Sequence, residues 1–139
     1  IDAFQHWIYE NPNHTLSERS AYWLQLSTDF GTGLTNWDGY EDLVQSSWQR
    51  QLHLFEVPFY YIEYGIAQLG AIGLWQQYKK DPAAALQNYL QALSLGGTRT
   101  LPQLFEAAAL SFDFSGPKIS QLMQFVKSEL DQITLTTSS

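Results

Sequence analysis

His53-Leu54-Phe55-Glu56-Val57-Pro58-Phe59-Tyr60-Tyr61-Ile62-Glu63-Tyr64-Gly65 gathers one imidazole and three phenols around a single proline-marked bend. Pro58 has no amide proton and its ring clashes with the preceding turn, so it cannot sit inside a regular helix without kinking it. Residues 53–57 are therefore expected to form a kink or a short turn between two helices. Downstream, 59–80 is helical in pattern and apolar almost all round, with Gly65, Gly70 and Gly73 among bulky residues. Glycine costs about 1 kcal/mol against alanine inside a helix. Its repeated use here predicts another backbone at close approach to a central helix. With polar tips on both sides of the bend, His53, Tyr60, Tyr61 and Tyr64 become candidates for one site that holds a polar reacting group.

Upstream, Leu43, Val44, Trp48 and Leu52 carry a helix from about Tyr40 to the bend. Residues 30–39 are rich in Gly, Thr, Asn and Asp around Leu34 and Trp37, which favours an irregular loop with an aromatic anchor. Thr15-Leu16-Ser17-Glu18 has the form of a capping box, opening a helix that carries Leu16, Tyr22, Trp23 and Leu26 to near Gly31. Ala3, Phe4, Trp7 and Ile8 fall at helical spacing before Asn11-Pro12-Asn13 stops them. Beyond the central helix, Asp81-Pro82 supplies an N-cap and a first helical residue. Ala85, Leu86, Tyr89, Leu90 and Leu93 then form one face, and Gly96-Gly97 ends it. A short helix over 101–110 follows. Ser115-Gly116-Pro117 introduces the last one, in which Ile119, Leu122, Met123, Val126, Leu130 and Ile133 keep helical period, and 134–139 is expected to fray. No segment alternates as a strand does, so the fold class is all-α, a helical bundle. Ala85, Tyr89, Ala92 and Leu93 resemble one helix of a tetratricopeptide unit, but no second copy recurs at a period of about 34 residues.

At 139 residues the chain suits one domain, 1–139. A net charge of −7 with only seven Lys and Arg argues against nucleic acid and against an anionic membrane surface. Absence of cysteine removes disulfides and thiolate metal sites, which fits a cytoplasmic protein. The most apolar run, 62–75, is interrupted by Glu63, Tyr64 and Gln68 and falls short of a bilayer span of about 20 residues. The chain opens at Ile1 with no initiator methionine and no secretory pattern, so it is expected to be a piece of something longer. His6, His14 and His53 form no i, i+4 pair, no HExxH occurs, and no metal site is expected in this chain. There is no GxSxG elbow and no phosphate-cradling glycine loop. Glu10, Glu18, Glu41, Asp42, Glu56 and Glu63 read as solvated or capping carboxylates.

The string over 48–70 begins Trp48-Gln49-Arg50-Gln51-Leu52-His53. It runs through the bend to Ile66-Ala67-Gln68-Leu69-Gly70, and closely resembles the C-terminal part of oligoendopeptidase F, in the thimet-oligopeptidase-like zinc metallopeptidases. Ile1-Asp2-Ala3-Phe4-Gln5-His6-Trp7 resembles the family's upstream helix. Ala92-Leu93-Ser94-Leu95-Gly96-Gly97 with Leu104-Phe105-Glu106-Ala107-Ala108 resembles its closing segment. The resemblance implies the C-terminal portion of a larger zincin-like catalytic domain, whose halves enclose a peptide channel. It implies zinc in the full-length enzyme, held by the histidines of HExxH and a downstream glutamate, all upstream of Ile1. No cofactor is then expected in this chain, and alone it should be inactive.

By the same resemblance, His53, Tyr61 and Tyr64 look like the family's histidine and tyrosines on a loop that closes over the peptide. Tyr60 is the alternative to Tyr61. A phenol aimed at a carbonyl oxygen that is gaining charge stabilises the transition state without bringing a base of its own. Tyr64 is thus the expected oxyanion donor, His53 a hydrogen-bonding group for substrate or intermediate, and Tyr61 and Tyr60 substrate-binding residues. The implied partners are an oligopeptide and an N-terminal zinc-bearing half. Self-association of the isolated chain is also expected, because a helix apolar on all sides needs cover. The competing reading is a non-catalytic helical interaction module.

Overall fold

The Thr15 hydroxyl accepts the Glu18 N–H at 3.2 Å and the Glu18 carboxylate accepts the Thr15 N–H at 2.8 Å. This completes the capping box that opens α2 (Leu16–Asp29). The computed structural model describes residues 1–137, with side chains through Ile133. Around α2 the order is α1 (Asp2–Glu10), then α3 (Glu41–Ser46), a 3-10 turn (Ser47–Arg50), α4 (His53–Glu56) and α5 (Ile62–Lys80). After these come α6 (Pro82–Ser94), α7 (Leu101–Ala107) and α8 (Gly116–Thr137). Among the described residues there is no strand, as the sequence pattern predicts. The last helix continues through Thr137, into the segment expected to fray, and Ser138 and Ser139 lie outside the described residues.

Backbone and then side-chain hydrogen bonds from Thr15 hold the Glu18 carboxyl below its ordinary value. A depressed folded-state value means a contribution that is complete above the unfolded-state value and is lost as pH falls through the folded one. Glu18→Gln is accordingly expected to melt lower than the parent near neutral pH, with the gap closing on acidification. Thermal melts between about pH 7 and pH 3 check this, and a gap that stays constant across the series would refute it.

Packing divides the chain into two compact units, Ile1–Glu63 and Tyr64–Ser139. In the first, Phe4 is fully buried and its ring meets Trp23 edge-on at 5.0 Å and Trp48 at 5.5 Å. Trp7 stacks on Tyr22 at 4.6 Å, and the Arg19 guanidinium lies 5.5 Å from the Trp48 ring centre. The continuous helix expected from Tyr40 is broken at Ser46. There the Val44 carbonyl accepts the Trp23 indole N–H at 2.9 Å and the Ser47 hydroxyl at 2.7 Å, and the Ser46 hydroxyl donates back to the Asp42 carbonyl at 2.8 Å. Carbonyls claimed by side chains leave the ladder, and the chain tightens into the 3-10 turn. In the preceding loop, Leu34 is 88% exposed. Trp37 helps wall a cavity of about 640 Å³ with Leu24, Gly31 and Val44.

In the second unit, α5 packs on α7 and α8. At Gly70 and Gly73 the expected close approach is made by side chains of α7 and its exit rather than by backbone. A Cβ on Gly70 would stand 3.0 Å from the Phe105 ring, and one on Gly73 would stand 2.9 Å from Leu110. Phe105 has little room to yield, because Phe112 and Phe114 meet it edge-on at 5.1 and 6.2 Å. Gln77 donates to the Ala109 carbonyl at 2.6 Å, Trp75 meets Phe125 at 4.8 Å, and Lys79 pairs with Glu129 at 2.6 Å. On α6, Asp81 caps the first turn and Ala85 is buried. Leu86, Tyr89, Leu90 and Leu93, expected to share that face, are all exposed. No helix among the described residues is long and apolar enough to cross a membrane.

Candidate functional site

The bend begins with a single helical turn. His53 opens α4, its carbonyl accepts the Val57 N–H at 3.2 Å, and Pro58 then stops the helix. The Tyr60 N–H donates to the Val57 carbonyl at 3.2 Å, closing a four-residue turn over residues 57–60. Pro58 takes the second place in this turn, which it favours. Phe59, with φ of 60°, takes the third, which in a type II turn normally goes to glycine. A bulky residue there costs about 1–2 kcal/mol. It also explains why α5 starts at Ile62 and not at the expected Phe59.

Three contacts from α1 offset that cost. The Gln5 amide oxygen accepts the Phe59 N–H at 2.8 Å, while the Phe59 ring lies 5.0 Å from His6 and 4.9 Å from Tyr9. One hydrogen bond contributes about 0.5–1.5 kcal/mol and an aromatic pair a similar amount, enough together to hold the strained turn.

Held this way, the bend brings three of the expected residues together. Tyr60 stacks on the His53 ring at 5.8 Å and 17°, and Tyr61 meets the same ring edge-on at 5.4 Å. The Tyr61 hydroxyl donates to Gln51 Oε1 at 3.3 Å. His53 and Tyr61 are half-buried, and Tyr60 is 46% exposed. Such a cluster offers aromatic faces with hydrogen-bonding tips, the chemistry that grips a polar backbone. Tyr64, in the first turn of α5, is 50% exposed and belongs to the second unit.

The other histidines are engaged elsewhere. His14 lies against the Asn11 carbonyl and accepts from Arg19 Nε at 2.7 Å, and His6 stands 3.7 Å from Asp2. Among the described residues no three His, Asp or Glu side chains are grouped to hold a metal ion. Glu41 accepts the Gly39 N–H at 3.1 Å, and hydrogen bonds from its own and the Gly39 backbone lower its carboxyl. It serves the backbone at the start of α3, within the solvated or capping roles expected of these carboxylates.

Gln5 and Gln51 escaped the sequence reading. For Gln5 a signal existed: it shares with Ile1, Phe4 and Ile8 the inward arc of α1, where a polar side chain has to be explained. Gln51 carried none, because its partner is chosen by the bend.

Residues 1–123 match the model of peptidase family M3. Among solved structures, the chain is similar to a protein assigned as oligoendopeptidase F, with 32% identity over 94% of this chain and a TM-score of 0.82. It is also similar to PZ peptidase A with an inhibitor, with 30% identity over 94% of this chain and a TM-score of 0.84. The chain spans 23% of the length of each. No curated protein gives a significant match.

Proposed function

Because the chain belongs to peptidase family M3, we propose that it is the peptide-gripping C-terminal part of a zinc metalloendopeptidase that hydrolyses short peptides. The observation that carries this reading is the ring cluster of His53, Tyr60 and Tyr61 on a bend held in strain. His53 hydrogen-bonds the substrate backbone or the tetrahedral intermediate. Tyr61, with Tyr60 beside it, binds the substrate backbone, and Tyr64 donates to the carbonyl oxygen as it takes on charge. Among the described residues no His, Asp and Glu are grouped to hold a metal ion; on this reading the zinc and the water it activates are supplied from outside this chain. This chain's share is to bind, orient and hydrogen-bond.

The full-length protein is expected to cleave an internally quenched peptide, and a chelator is expected to stop it. His53→Gln should lower kcat/KM about 10- to 100-fold, the loss of one hydrogen bond to a charged group. Cleavage that survives both treatments would remove the proposal.

A further inference from the structure

Gln5 is 2% exposed, and although its amide oxygen accepts the Phe59 N–H at 2.8 Å, its Nε2 is buried with no hydrogen-bond partner among the described residues. An unpaired buried donor works against folding. Packing alone therefore does not account for glutamine, since methionine fills much the same volume without that donor. What glutamine adds is one acceptor aimed at one peptide group. That group joins Pro58 to Phe59, and rotating it by half a turn interconverts two turn types. In one, the third residue has positive φ, and in the other it has negative φ and no strain. With Phe59 at φ 60°, an unheld bend would relax to the second form and re-aim the two tyrosines that follow.

We infer that Gln5 is a positioning residue: its amide oxygen locks the Pro58–Phe59 peptide in the strained orientation that sets Tyr60 and Tyr61 against His53. The Phe59 ring, at 5.0 Å from His6 and 4.9 Å from Tyr9, is held by the same helix, so α1 grips the backbone and the side chain of one residue together. Only the catalytic meaning of this lock rests on the peptide-site reading.

Gln5→Met tests it in the isotopically labelled chain. Hydrogen-exchange protection of the Phe59 amide is expected to fall about tenfold. Ring-to-ring nuclear Overhauser contacts from His53 to Tyr60 and Tyr61 should weaken, while the melting temperature stays the same or rises. Protection and ring contacts that persist in Gln5→Met overturn the inference, as does their loss together with a collapse in melting temperature. Should that variant not fold, Gln5→Glu keeps an acceptor: retained protection supports the lock and lost protection overturns it. Peptide turnover by the full-length Gln5→Met protein separates the two readings. Weakened contacts with turnover intact leave the lock standing and remove the site assignment.

Discussion

Phe4→Ala is expected to destabilise the first unit by about 3–5 kcal/mol. The ring is fully buried and sits between Trp23, Trp48 and Tyr22, at 5.0, 5.5 and 6.5 Å. Truncation removes its transfer free energy and leaves a void that three rigid rings cannot close. The helix-propensity gain of alanine, at most about 0.7 kcal/mol, does not offset that. Against a total domain stability of about 5–15 kcal/mol, the loss is a large fraction of what holds the unit together. Trp23 and Trp48 line the void, so a urea titration followed by tryptophan emission reads the change directly. A midpoint within error of the parent would show that Phe4 is not the keystone of this core.

On the proposed reading, Tyr64→Phe in the full-length protein is expected to lower kcat by about 10²–10³-fold, equivalent to about 2.7–4 kcal/mol, with little change in KM. Removal of a donor used only as the carbonyl oxygen gains charge costs transition-state stabilisation and spares ground-state binding. The side chain is half exposed, so loss of one hydroxyl should leave the fold intact, and a matched thermal melt separates chemistry from stability. Turnover equal to the parent would mean that the oxyanion is stabilised by some other group. A rise in KM with kcat unchanged would make Tyr64 a binding residue instead.

Sequence made visible those parts of the fold whose causes are local. The Thr15–Glu18 box and the Asp81-Pro82 start each depend on atoms within a few residues, and both helices begin where those residues put them. Pro58 announced the bend for the same reason. The break at Ser46 was not legible, because it depends on the indole of Trp23, 21 residues earlier, reaching the Val44 carbonyl. Nor was the filler of the Gly70 and Gly73 notches, since Phe105 arrives from α7 and Leu110 from the segment that leaves it. In the candidate site, the imidazole and phenols stood out by type and spacing, and the family resemblance gave them roles. The positive φ of Phe59 and the amide that meets it did not stand out, because strain at a non-glycine residue leaves no mark in composition.

The lateral grip of Trp23 on Val44 and Ser47 also bears on how this region can tolerate change. It sets the axial register of the 3-10 turn that follows, and with it Gln51 beneath Tyr61, from the flank of α2 and not through the intervening loop. Residues 30–39 can therefore gain or lose length at small entropic cost without shifting the aromatic cluster. Variation among relatives can accumulate in that loop while the geometry at the bend stays constant.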